Sequence, residues 1–187
     1  DWQAGGEYTY TVSLAAAKGY TIEDDGSYTV TSADGLMNVA ELVNGGKTDI
    51  NITLDKNIDL TGKGWTPIGT SNSYTGTFDG GGHTITGLTF TTNDEYAGLF
   101  GYLNRAGTVK NVVMEGVQIT SNQINGGSIG GVVGTSWGTI ENCSVSGSVS
   151  GTVYVGGVVG VQIGGSITGC SSSATVKGMV DVGGVAG

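Results

Sequence analysis

Apolar and polar residues alternate along much of this chain in short runs, each closed by glycine or an Asp-Gly pair. From Asp49 to Leu60 the apolar positions are Ile50, Ile52, Leu54, Ile58 and Leu60, with mostly polar residues between; further on, Cys143 alternates with Val145 and Val153 with Val155. Period two over four to six residues predicts short strands with one face turned inward. The stretch Ile140 to Val149 is rich in Val, Ser and Gly and poor in strong helix formers, which favours the extended reading. Thr75 to Ile85 reads as strand, Asp79-Gly80 turn, strand. One segment has the other period. Ser32-Ala33-Asp34-Gly35 supplies capping side chains, Leu36, Val39, Leu42 and Val43 follow at helical spacing, and Asn44-Gly45-Gly46 is a stop, so a helix is expected over 34–44. At the N-terminus Tyr8, Tyr10, Val12 and Leu14 alternate with polar residues, and Glu23-Asp24-Asp25-Gly26 marks a turn between extended runs. These are expected to form a non-repeat β segment over 1–26.

The remainder repeats. Gly98-Leu99-Phe100-Gly101 recurs as Gly131-Val132-Val133-Gly134, Gly157-Val158-Val159-Gly160 and Gly184-Val185-Ala186-Gly187, at steps of 33, 26 and 27 residues. A second element follows three of these: Gly107-Thr108-Val109-Lys110-Asn111-Val112, Gly138-Thr139-Ile140-Glu141-Asn142-Cys143 and Gly165-Ser166-Ile167-Thr168-Gly169-Cys170. Two elements in register define one structural unit used several times. A unit of this size holding two or three short strands forms one coil of a parallel β-helix, stacked on its neighbour at about 4.8 Å. The expected fold is therefore an all-β, right-handed parallel solenoid over 27–187, of five to six coils and on the order of 25 Å tall. The helix would cap its first coil. Val109, Ile140 and Ile167 should form one interior ladder, and Val112, Cys143 and Cys170 another. The repeated glycines suit corners that need positive φ or close backbone approach.

Composition narrows the function classes. The chain has 187 residues, with 37 Gly, one Pro, 12% charged residues and a net charge of −9. Glycine without a G-X-Y period excludes collagen, and the many Val and Ile argue against disorder. The seven basic residues are scattered, so nucleic acid is a poor partner. No apolar run approaches the roughly 20 residues that span a bilayer. The chain opens at Asp1 without a signal sequence and ends at Gly187 inside a repeat that lacks its second element, so both ends are expected to be cuts through a longer protein.

The repeated elements carry a resemblance. Gly98-Leu99-Phe100-Gly101 followed by Gly107-Thr108-Val109-Lys110-Asn111-Val112, with the later Gly-Gly-Val-Val-Gly form, resembles the GLUG-motif repeats of bacterial, Bacteroidetes-type surface proteins. Trp65-Thr66-Pro67-Ile68-Gly69 and Tyr74 to Ile85 are similar to the segment that leads into such repeats. The resemblance covers roughly residues 28–187. It implies a secreted or surface-anchored protein, extracellular or on the outer membrane, with adhesin-like behaviour. Some peptidases that cleave immunoglobulin A carry these repeats, but their zinc-binding H-E-x-x-H sequence is missing here. Trp2 to Leu14 resembles the closing strand of a fimbrillin-type β-sandwich.

Candidate chemistry is sparse. His83, the single histidine, lies in an Asp-Gly-Gly-Gly-His turn four residues after Asp79, where a corner role outweighs an acid/base one. One His and two Cys are too few for a zinc site. Cys143 and Cys170 occupy equivalent repeat positions and should stack, with buried free thiols favoured over a bridge. Asp55, Asp59 and Asp79 could approach one another on adjacent coils, but neither Arg105 nor Lys110 has a carboxylate cluster near it in sequence, so solvated turns are the better reading. Glu23-Asp24-Asp25 lacks the spacing of a calcium loop. Trp65, Tyr74, Tyr102, Trp137 and Tyr154 are the aromatics that could pack on a sugar, with Trp137, Tyr154 and Tyr102 the expected glycan contacts.

The pattern as a whole predicts a non-enzymatic module without catalytic residues, metal or cofactor, which presents a stiff surface to a protein or glycan of a host or neighbouring cell. The alternatives are a polysaccharide lyase or glycosidase, or a dedicated glycan-binding module, on the same scaffold.

Overall fold

The computed structural model describes residues 18–124 and 126–187. The expected N-terminal strand around Tyr8 to Leu14, with its fimbrillin-like resemblance, lies outside the described residues. The chain climbs level by level. The first level holds β1 (Tyr20–Ile22), β2 (Tyr28–Val30) and the helix α1 (Ala33–Asn44), and the second β3 (Ile52–Leu54) and β4 (Ile58–Asp59). The third holds β5 (Thr77–Asp79), β6 (Thr84–Thr86), β7 (Thr89–Thr92), β8 (Tyr96–Ala97) and β9 (Phe100–Leu103). The fourth holds β10 (Thr108–Lys110), β11 (Val113–Ser121), β12 (Ser128–Gly130) and β13 (Val133–Ser136). The fifth holds β14 (Thr139–Glu141), β15 (Ser144–Ser150), β16 (Val153–Gly156) and β17 (Val159–Gln162). The last holds β18 (Ser166–Thr168), β19 (Ser171–Ser172), β20 (Thr175–Lys177) and β21 (Val180–Gly183).

Equivalent strands pair in parallel from level to level, which makes the molecule a parallel β-solenoid. The sheet β2-β3-β5-β10-β14-β18 has six parallel levels, hence five turns of the coil. Its central residues form one unbroken column in register, Tyr28–Ile52–Phe78–Val109–Ile140–Ile167. The first five are buried and Ile167 is half-buried. A second sheet stacks Ile58, Ile85, Met114 and Val145, and a third stacks Ala97, Ile129, Val155 and Val182. The repeat motif supplies the fourth column, Phe100–Val133–Val159, extended by bridges from Ile68 and Ala186. Alternation places these side chains inside, where one continuous apolar core collects them.

Ahead of the first parallel strand, β1 pairs antiparallel with β2 around the Glu23 to Gly26 turn. The Asp25 carboxylate accepts from both the backbone N–H and the hydroxyl of Ser27, at 2.9 and 2.6 Å, which pins that turn. The helix begins one residue before its expected start. Ser32 caps it by accepting from the Gly35 N–H at 3.1 Å, and Leu36, Val39, Ala40 and Val43 turn into the core.

The motif glycines serve close approach rather than left-handed backbone. None of Gly98, Gly131, Gly134, Gly157 and Gly160 has positive φ. A Cβ at Gly130, Gly156 or Gly183 would overlap the carbonyl oxygen three residues ahead, on Val133, Val159 and Ala186 respectively. A Cβ on Gly134 would come within 2.8 Å of Ala97 N and Ser128 O, across the corner. The chain therefore doubles back so tightly at this corner that backbone packs against backbone. Positive φ is needed instead at the turn after β10, β14 and β18, where Asn111, Asn142 and Gly169 stack at +54°, +51° and +65°. Asparagine tolerates this region because its short polar side chain can bond locally. Here Asn142 donates to Asn111 at 3.4 Å and Asn111 to Asp79 at 2.9 Å.

Candidate ligand-binding face

The aromatics proposed as sugar contacts separate once the coils are stacked. Tyr74 is fully buried against Phe100, with ring centroids 5.4 Å apart, and its hydroxyl donates to Ile50 O at 2.8 Å. Burial pushes that phenol's pKa well up. Trp65 is also buried, its indole N–H donating to Gly98 O at 3.3 Å. Tyr74 has no surface left to meet a ligand, and Trp65 shows only one edge, to a pocket of about 250 Å³ between the helix and Thr66. Trp137 is half-buried beneath the Arg105 guanidinium, which sits 5.5 Å from its ring centroid. A Cβ on Gly164 would lie 3.0 Å from Trp137 Cε3, so the next coil closes the ring's edge. Tyr154 is exposed, on left-handed backbone at φ +49°, in register with Asp181 at +47°. It has no aromatic neighbour among the described ring pairs.

Tyr102 is the candidate that acquires a setting. It makes an edge-to-face pair with Tyr96, at 5.6 Å and 71°, because β8 and β9 flank the Gly98 corner. The pair forms one wall of a groove of about 300 Å³ whose other wall is the polar loop with Thr70, Ser71 and Ser73, and Asn104. That loop is tied down from two directions. Asn44, the last helix residue, accepts from the N–H groups of Gly69 and Thr70 at 2.8 and 3.2 Å, and its own carbonyl accepts from Asn72 at 2.8 Å. On the other side Asn104 donates to Ser73 Oγ at 3.0 Å, and Tyr102 O accepts from Tyr74 N at 3.1 Å. The Tyr96 hydroxyl donates to Glu95 at 2.8 Å, a bond that raises its pKa. A fixed rim of hydroxyl and amide groups beside two phenol rings offers hydrogen bonds and an apolar face together, which is what small polar ligands with apolar patches need. Tyr96 carried no sequence signal, since the neighbour that gives it meaning is fixed by the corner.

The carboxylates also separate. Asp79 lies in the first sheet and Asp59 in the second, where Asp59 accepts from Thr61 N at 2.9 Å within its own turn. Lys110, for which no carboxylate cluster was expected, is in register with the single carboxylate of Asp79 and pairs with it at 3.3 Å. Partial burial pushes the Asp79 pKa up, but the Asn111 amide, the Gly81 N–H and Lys110 outweigh that and hold it below the usual carboxylate value. A carboxyl with a depressed folded-state pKa stabilises the fold fully above its unfolded pKa, about 3.9, and loses that contribution as pH falls through the folded value. Asp79→Asn should therefore lower stability at neutral pH, and the gap to the parent should close on acidification through that window, as read by urea midpoints at each pH. A gap independent of pH would show that the charge is not what matters. His83, between β5 and β6, donates its backbone N–H to Gly80 O at 2.8 Å, as a corner residue does. Among the described residues no group of three or more His, Cys, Asp or Glu is placed to hold a metal ion.

A parallel solenoid whose corners are built from Gly-Gly-Val-Val-Gly defines the class. Within it, the chain carries two copies of the GLUG motif, at residues 125–150 and 151–177. It is 40% identical over 120 residues to Halomucin of Haloquadratum walsbyi, a match covering 58% of this chain and 1% of that protein. It is 34% identical over 128 residues to a "Putative Gly-rich membrane protein" of Evansella cellulosilytica, covering 63% of this chain and 14% of that one. The chain thus spans a small fraction of the length of these relatives. In fold it is similar to the crystal structure of a "putative immunoglobulin A1 protease" from Bacteroides ovatus, with a TM-score of 0.59 and 24% identity over 88% of this chain and 62% of that one. No helix among the described residues is long and apolar enough to cross a membrane.

Proposed function

We propose that this chain is a rigid, non-catalytic module of a larger cell-surface protein, holding its side faces toward a protein or glycan partner outside the cell or on the outer membrane. The observation that carries this reading is the unbroken six-level column from Tyr28 to Ile167. In a stack, each level is fixed by those above and below, so the whole resists bending and holds exposed groups at constant spacing. The GLUG repeats, the name Halomucin and the membrane-protein relative support the surface placement. A panel of polysaccharides incubated with the chain should yield no products; turnover that disappears in Asp79→Ala would establish an enzyme instead.

A second reading, a glycan-binding module, is favoured by the Tyr96–Tyr102 groove. On a glycan array, binding should weaken about tenfold on Tyr102→Ala, the loss of roughly 1.4 kcal/mol expected for a central aromatic contact. Trp137→Ala should leave it intact, because Arg105 already covers that ring. An array without hits removes this reading and leaves the protein-partner form of the first.

A further inference from the structure

The two cysteines stand apart from the ligand face. They occupy the same position on consecutive coils, one residue before the register pair Ser144 and Ser171. Both are free. They differ in surroundings. Cys143 is buried, its thiol directed at Glu141 O, 3.2 Å away, whereas Cys170 is half-buried. Cys170 Sγ accepts the backbone N–H of Cys143 at 3.4 Å, so its side chain leans onto the coil below. Neighbouring strands in a ladder lie about 4.8 Å apart, inside the Cα separation that a disulfide spans.

We propose that Cys143 and Cys170 form a redox-active dithiol, with Cys170 as the attacking thiol toward a low-molecular-weight disulfide and Cys143 as the resolving one. In the first step the Cys170 thiolate attacks one sulfur of the disulfide RSSR. A Cys170–S–S–R bond forms, the RS–SR bond breaks, and the departing RS⁻ takes up the proton that Cys170 released. In the second step Cys143 loses its proton and attacks Cys170 Sγ. The Cys143–Cys170 bond forms, the bond between Cys170 Sγ and the sulfur of RS breaks, and the second RS⁻ leaves with that proton as RSH. The protein is oxidised by two electrons, RSSR is reduced to two RSH, and the product is a covalent staple between consecutive coils.

The division of labour follows from the local bonds. The Cys143 thiol beside it and the Cys143 N–H that it accepts at 3.4 Å both favour Cys170 as a thiolate, which lowers its pKa to about 6. The neighbouring Cys170 sulfur, together with burial, pushes Cys143 up. At pH 7 a thiol of pKa about 6 carries roughly 30-fold more thiolate than an ordinary one of about 8.5. The residue with the available nucleophile is also the more accessible of the two.

The test uses the reduced 187-residue chain with glutathione disulfide, followed by intact mass and peptide mapping, with circular dichroism confirming that each variant folds. The wild type should lose both free thiols and finish two hydrogens lighter. Cys143→Ser should stop at one glutathionyl adduct, mapped to Cys170, and Cys170→Ser should stay unmodified. Alkylation of Cys170 in Cys143→Ala, which lacks the S–H donor, should shift its half-maximal pH upward from the value near 6 expected of the wild type. A wild type that remains a dithiol or halts at the mixed disulfide overturns the proposal, as does a Cys170→Ser variant that reacts as fast as Cys143→Ser.

Discussion

Replacing Phe78 by alanine is expected to destabilise the solenoid by about 3–5 kcal/mol, the range for truncating a fully buried aromatic. Phe78 has no exposed surface, sits in register between Ile52 and Val109, and packs edge-to-face on Phe100 at 5.2 Å and 78°. It therefore joins two columns, the first sheet's and the motif's, at the level where the helix-capped entry gives way to the regular repeats. The ring cannot be replaced by collapse from either side, because strands above and below hold their own positions through backbone pairing. The measurement is a urea unfolding curve, with a fall in midpoint at unchanged slope. Ile167→Ala, on the half-buried last level of the same column, should cost distinctly less. Equal losses at both sites would mean that depth in the stack is not what sets the energy.

The second large effect comes from adding a single methyl group. Gly156→Ala puts a Cβ onto the carbonyl oxygen of Val159, a backbone atom that no side-chain rotation can clear. Overpacking ordinarily costs about 1–3 kcal/mol, occasionally more. With backbone on the receiving side, the upper end, on the order of 3 kcal/mol, is the expected loss. Gly184→Ala is the control, since nothing lies within 4 Å of a Cβ there. It should stay within about 0.5 kcal/mol of the parent. Thermal or urea denaturation of the pair separates two explanations of the repeated glycines. If both variants behave alike, the glycines act through flexibility; if only Gly156→Ala fails, they act through space.

Much of the architecture could be read from residue order because a solenoid writes its contacts at a fixed interval. Ile140 and Ile167 lie 27 positions apart in the sequence and pair directly, and no long-range topology has to be guessed to bring them together. The helix was equally legible: its cap, spacing and stop are local signals, and its start differed by one residue. What periodicity could not convey was which of several polar or aromatic positions meet. Lys110 and Asp79 pair because their strands are adjacent levels of one sheet, while Asp59 was carried into another sheet by the intervening corner. Trp65 and Tyr74, among the aromatics that could pack on a sugar, instead close the irregular third level, where the leading segment must fill the interior that repeats fill elsewhere.

The order of amino acids alone specified the repeating coil, its interior columns and the helix at its start, since each depends on neighbours in the chain or on a constant step between like residues. The positions of the polar groove beside Thr70 and Ser73, of Tyr96 against Tyr102, and of a half-buried Cys170 leaning on a buried Cys143 came only with folding. Those depend on how sharply each corner turns and on what the adjoining coil lays over it, quantities set by packing in three dimensions and not by spacing along the chain.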